Sequence, residues 1–349
     1  MFIGIKMEKN MLRDNFSISE TKRVQEPRNS VITIVLLFLV MQIPSLLVGV
    51  VYGLYTSVTN PELAQNPSNF QIQMSDEFLL MSLFITLLIT IAVYIFAKKF
   101  LNRNKASLGL TKPNKGKNYI KGLAYGFIML VAAVAILKVF GLIEFNANFS
   151  NVSPLMFILF IIGWMIQGFE EEFVTRAVVM NFFAAKNTII VGIIANSLIF
   201  SLLHLGNNAF SILPFINIFL VGVVFSLMFY VSDDIFLPAA AHSIWNFAQG
   251  NLFGIPVSGS FNVENTLVRS KLVGNELMTG GAFGVEGGLA VTIVEVIAII
   301  ILIKMAKDKK FDGVEYQVAD LSDDNTDKII EEDNQKSEAI EKTSYEADN

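Results

Sequence analysis

The chain of 349 residues is 53% hydrophobic and 16% charged, a balance that argues against a soluble domain and for a polytopic membrane protein. It holds no cysteine, which rules out a disulfide, a thiolate nucleophile, a Cys-ligated zinc and palmitoylation. The formal net charge of −5 divides unevenly: residues 311–349 carry 13 Asp and Glu against 3 Lys, a net of −10 that leaves +5 elsewhere, and no basic stripe interleaved with aromatics marks a nucleic-acid site.

Residues 1–30 are polar and of mixed charge, with Lys6, Lys9, Arg13, Lys22, Arg23 and Arg28, and read as a cytoplasmic N-terminal segment rather than a cleaved signal peptide. A transmembrane domain is expected over 31–306, with eight apolar stretches at about 31–55, 78–97, 119–141, 154–180, 188–205, 212–231, 235–248 and 288–306. A helix needs about 20 apolar residues to span a bilayer. The seventh stretch is too short and has Pro238 near its start, so it reads as a partial or protein-buried helix, tolerated where it lines a cavity. The expected fold is therefore all-α, a polytopic helical membrane protein with a polar chamber between its fourth, fifth and seventh spans.

Loop charge sets the expected orientation. Segment 98–121 holds Lys98, Lys99, Arg103, Lys105, Lys112, Lys115, Lys117 and Lys121, whereas 57–77 and 142–153 hold no Lys or Arg. Lys304, Lys307, Lys309 and Lys310 close the last span. By the positive-inside rule both termini are cytoplasmic in a multi-pass protein of the cell membrane, and 57–77 and the Gly-rich loop 249–287 are external. Residues 307–349 read as an acidic disordered cytoplasmic tail, too polar to offset the entropy of ordering.

Ionisable residues inside apolar spans are functional candidates by default. The fourth span carries Glu170-Glu171-Glu172 and Arg176, the fifth ends Phe200-Ser-Leu-Leu-His204, and the seventh holds His242-Ser-Ile-Trp-Asn246. Glu171 and Glu172 point about 100° apart on a helix, and Arg176 lies one turn after Glu172 on the same face. Glu172–Arg176 then forms a clamp while Glu171 turns elsewhere; Glu170 has no partner visible in sequence and reads as structural. Phe200 can wall one side of the His204 ring. His242 and Asn246 share a face and can aim two donors at one point, as an oxyanion hole requires. With no nucleophilic Cys and no Gly-x-Ser-x-Gly elbow, water is the expected nucleophile and hydrolysis the expected chemistry. Glu171, His204 and His242 are also a ligand set that zinc accepts, although His-Glu-x-x-His is absent.

These motifs, Glu-Glu-x-x-x-Arg, Phe-x-x-x-His and His-x-x-x-Asn in that order, resemble the CAAX protease and bacteriocin-processing (CPBP or Abi) family of intramembrane endopeptidases, over about 119–250. The Gly-rich stretch 280–288 also looks like bacterial members. The resemblance implies that Glu171 and His204 activate water, that His242 and Asn246 stabilise the oxyanion, and that Glu172, Arg176 and Phe200 support them. It implies a peptide or membrane-protein substrate in the bilayer. It leaves open a glutamate-dependent or a metal-dependent peptidase, with zinc or no cofactor, and a non-catalytic scaffold or bacteriocin self-immunity protein. A proton-coupled transporter is the other class that buried Glu and His suit, but no repeated halves are visible. One feature fits poorly: a hairpin turn near residue 184 lies 13 residues after Glu171 and 20 before His204, a depth difference of roughly 10 Å. A longer turn at Lys186-Asn187, or a tilt or break at Gly163 or Gly168, is needed to level them.

Overall fold

The computed structural model describes residues 13–59, 75–259 and 263–308. The expected acidic tail beyond Asp308 and most of the loop 57–77 lie outside the described residues. The helices are α1 (Phe16–Val24), α2 (Ser30–Thr59), α3 (Asp76–Lys99), α4 (Lys115–Val139), α5 (Pro154–Glu172), α6 (Asn181–Lys186), α7 (Ile189–Leu203), α8 (Ile212–Ser232), α9 (Phe236–Phe247), α10 (Glu276–Thr279) and α11 (Leu289–Asp308). A π-helical stretch, Phe173–Met180, joins α5 to α6 without a break, and another, Ala248–Leu252, ends α9.

Among the described residues, six helices are long and apolar enough to cross a membrane: Ser30–Val51, Asp76–Lys99, Lys115–Val139, Pro154–Lys186, Ile212–Ser232 and Leu289–Lys307. The protein is thus a multi-pass helical membrane protein. The fifth and seventh expected spans are helices too, but short ones, α7 with 15 residues and α9 with 12. Among the described residues, length and composition support six crossings and do not confirm the count of eight.

Local chemistry explains several of these boundaries. Ser75, Ser153 and Thr188 accept a backbone N–H at the starts of α3, α5 and α7. Pro154 stands in the first turn of α5, where its missing N–H costs nothing. Asp76 and Glu77 open α3 and Lys98 and Lys99 close it, which suits the helix dipole.

Two features go beyond the all-α expectation. A two-stranded antiparallel sheet pairs β1 (Ile143–Ala147) with β2 (Val268–Leu272), in the register Ile143↔Leu272 to Ala147↔Val268. The polar N-terminal segment contains α1, whose Ser17, Ile18 and Thr21 are buried. Asn15 caps that helix, and Asn181 Nδ2 donates to Ser17 Oγ at 3.1 Å.

The bundle has two distinct ends. At one, Asn102 bonds Val24, Lys186 bonds Arg28 and Ser30, and Asp233 accepts the Ser17 N–H and pairs with Lys112. At the other are the sheet and a cluster in which Asn265 accepts from the Ser153 N–H and Asp76 accepts from the N–H groups of Glu264 and Asn265.

Short α9 is almost wholly buried, as a helix too brief to span must be if its ends are to find partners. It packs on α4 through two glycines. A Cβ on Gly122 would lie 2.2 Å from the Leu237 carbonyl oxygen, and one on Gly126 would lie 2.1 Å from that of Ala241. On its other side Gly168 of α5 sits against Ser243. Small residues let backbones approach this closely. Gly126→Val is therefore expected to force α4 away from α9 and lower stability by about 1–3 kcal/mol or more. Thermal unfolding in detergent checks this; an unchanged midpoint would show that the contact carries no weight.

Candidate active site

The three motif segments meet around one cavity of about 420 Å³, lined by Glu171, His204, His242, Asn246 and Phe200 among others. The chamber is wider than expected. Phe38, Met41 and Gln42 of α2, Ser82 and Thr86 of α3, Asn217 of α8, Ser258 and Glu286 of the Gly-rich loop, and Glu295 of α11 line it as well.

The depth mismatch between Glu171 and His204 disappears because the turn is later than expected. Helical structure runs on to Lys186 and reverses at Asn187, φ −137° and ψ −108°. Asn187 lies 16 residues after Glu171 and 17 before His204, so simple rise leaves them about 1.5 Å apart in depth. The helix does not break at Gly163 or Gly168. It loosens just after Glu172, where the Thr175 hydroxyl donates back to the Glu171 carbonyl and the π-helical stretch begins. Such stretches recur at functional sites, and side chains that bond back to the i−4 carbonyl bend helices.

The two central glutamates part company here. The Glu172 side chain is 0% exposed and Glu171 is 26% exposed, so Glu171 alone of the pair faces the cavity. Glu172 Oε1 accepts from Arg176 Nη1 at 3.0 Å and from His242 Nδ1 at 2.9 Å. Arg176 also donates to Thr175 Oγ1 at 2.5 Å and the Gly222 carbonyl at 3.1 Å. Its guanidinium lies over the rings of Phe200, at 4.6 Å, and Phe225, at 5.5 Å. The clamp joins α5, α7, α8 and α9 at one point.

His242 stacks on Phe225 with ring centroids 5.0 Å apart and meets the edge of Phe200. With Nδ1 held by Glu172, its Nε2 turns to Glu171, 3.6 Å from Oε2. His204 terminates α7. Its Nδ1 bonds the Phe200 carbonyl at 2.8 Å, which commits that nitrogen as the donor and leaves Nε2 as an acceptor in the neutral ring. Asn246 Nδ2 donates to Gln167 Oε1 at 3.0 Å, and Gln167 Nε2 donates to Glu171 Oε1 at 2.6 Å. Asn246 keeps a second N–H beyond the one Gln167 uses.

Several participants escape the motif reading. Gln167 lies one turn before Glu171, and that spacing is the signal. Glu286 takes Trp245 Nε1 on Oε1, at 3.2 Å. On Oε2 it takes Gln249 Nε2 at 3.2 Å and the Ser258 N–H and hydroxyl at 2.5 and 2.9 Å. Burial raises its carboxyl above the usual carboxylate range, while the Ser258 and Gln249 donors and nearby His204 pull the other way. Glu295 needs no new signal, because the rule that singles out Glu171, an acid inside an apolar span, applies to it equally. Glu170, expected to be structural, lines the cavity with no partner among the described residues.

Glu171, His204 and His242 do not stand as a metal-holding cluster: among the described residues no group of three or more His, Asp or Glu does. Glu172 holds His242 Nδ1 and Gln167 holds Glu171 Oε1, while His242 Nε2 and Glu171 Oε2 face each other at 3.6 Å.

Nothing among curated proteins and nothing among solved structures matches the chain. Residues 153–248, which hold every motif residue from Glu171 to Asn246, do match a family model, and it is the family that the motifs resemble: the Rce1-like type II CAAX prenyl endopeptidases.

Proposed function

We propose that this protein is an intramembrane endopeptidase in which Glu171 is the general base. The observation that carries the reading is the Glu171 carboxylate, turned into the cavity with one oxygen fixed by Gln167 and the other 3.6 Å from His242 Nε2. Water bound between Glu171 and His204 Nε2 gives one hydrogen bond to each. Its oxygen attacks the peptide carbonyl carbon as Glu171 takes a proton. The carbonyl oxygen becomes an oxyanion that accepts N–H bonds from the imidazolium form of His242 and from the second N–H of Asn246. Glu171 returns the proton to the departing nitrogen, the C–N bond breaks, and the new carboxylic acid gives its proton to the amine, so that the products are a carboxylate and an ammonium. Glu172 supports this by holding His242 as an Nδ1 donor, with Arg176 balancing its charge. No step is routed through a metal.

The reading is tested in cells by comparing the membrane proteome and secreted peptides of the wild type with those of Glu171→Ala. Cleaved fragments present only in the wild type are expected; identical peptide sets would contradict it, and a role that survives the substitution would point to a scaffold.

The orientation in the cell membrane belongs to the same proposal. Residues 98–121 and both termini face the cytoplasm and 249–287 faces outward, on the charge asymmetry of the loops. Because the chain has no cysteine, single introduced cysteines report this directly. A cysteine in 249–287 is expected to react with an impermeant reagent in intact cells; labelling only after permeabilisation would reverse the orientation.

A further inference from the structure

The mechanism above uses Glu171 and leaves other carboxylates on the same cavity without a task. Glu170, Glu171, Glu286 and Glu295 line it, and among the described residues no Lys or Arg does. Glu295, like Glu170, has an enclosed carboxylate oxygen with no hydrogen-bond partner among the described residues. It sits within apolar α11 and is 3% exposed. A carboxyl in such a place is costly without a partner.

The polar groups nearest along its helix are already engaged. Thr292, one turn before, donates to Asn217 Oδ1 at 2.7 Å. Asn217 Nδ2 holds the carbonyls of Glu286, at 2.8 Å, and Gly288, at 3.0 Å. These bonds lock α11 to α8 and to the turn that carries Glu286, and engage the Thr292 hydroxyl and the Asn217 amide with partners other than Glu295. Glu286 receives its donors mostly on Oε2, so Oε1, with Trp245 alone, can accept again. His204 lies within electrostatic reach of Glu286, so this acidic wall adjoins the water-activating end of the site. Both glutamates fall outside the matched segment 153–248.

We infer that Glu295 and Glu286 form a subsite for a cationic side chain, lysine or arginine, of the peptide substrate beside the bond that is cut. The inference deepens the endopeptidase reading and rests on it. An ammonium supplies several N–H donors to oxygens that lack them, and charge-assisted bonds in a low-dielectric chamber are the strong ones. A neutral side chain leaves Glu295 unpaired, and an acidic one meets like charge, so the wall selects by exclusion as well as attraction.

The test uses the full-length protein in lipid nanodiscs with apolar peptides in which one residue is lysine, norleucine or glutamate, moved along the sequence. At one position kcat/KM for lysine is expected to exceed that for norleucine by about tenfold or more. Glu295→Gln is expected to bring that ratio close to one. Equal cleavage of lysine and norleucine peptides at every position would overturn the subsite and leave the endopeptidase reading standing, whereas failure to cleave any peptide would overturn the endopeptidase reading itself and the subsite with it. A lysine preference unchanged in Glu295→Gln would also overturn the subsite. A second measurement needs no variant: butylammonium is expected to compete with the lysine peptide and 1-butanol is not, and equal inhibition by the two would count against the subsite.

Discussion

Replacing Glu171 with glutamine is expected to cut peptide hydrolysis by about 10²–10⁴-fold, the range that general acid–base catalysis supplies. Glutamine keeps the shape and can still bond Gln167, but it cannot take a proton from water. The loss should fall on kcat, because Glu171 acts in the proton transfers of the chemical steps and not in binding the peptide. Asn246→Ala serves as the comparison: it removes one oxyanion donor, worth about 10²–10³-fold. Steady-state kinetics on purified protein check both. A Glu171→Gln variant with wild-type kcat would remove the base from the mechanism.

The second large effect is on stability. Arg176→Ala is expected to destabilise the protein by about 3–5 kcal/mol, because Glu172 would remain buried with His242 alone of its two donors. Both side chains of the pair are 0% exposed, so water cannot replace the lost partner. The guanidinium also fills the space between Phe200 and Phe225 and bonds the Gly222 carbonyl, so its loss loosens the contact between α5 and α8. Arg176→Lys should recover only part of the stability, since one ammonium cannot reproduce this fork of bonds. Thermal unfolding and yield of folded protein read the effect, and a normal yield with full activity in Arg176→Ala would show that the clamp is dispensable.

What the sequence makes legible here follows from the cost of polarity in an apolar span. Each of the long apolar helices coincides with an apolar stretch, and Glu172–Arg176 is bonded as i,i+4 spacing suggests. Short α9 is buried, as its length and Pro238 indicate. The less legible parts are long-range or irregular. β1 has five residues and pairs with a strand from a distant loop, so no local pattern announces it. The helix α1 is stabilised by burial of small polar residues against the ends of other helices, and a hydrophobic period does not reveal that. The turn at Asn187 and the π-helical stretch before it decide that Glu171 and His204 reach the same level, yet Phe173–Lys186 reads as ordinary apolar helix. Glu286 is brought to the cavity only because the Gly-rich loop folds back over it, through Ser258, Gln249 and Asn217.

Addition of water across a peptide bond inside this cavity leaves a signature that mass spectrometry reads. Purified full-length protein in lipid nanodiscs is incubated with an apolar peptide beside the Glu171→Gln variant. Two fragments whose masses sum to that of the peptide plus one water are expected from the wild type, and an intact peptide from the variant. Recovery of intact peptide from both, or equal cleavage by both, would contradict this mechanism.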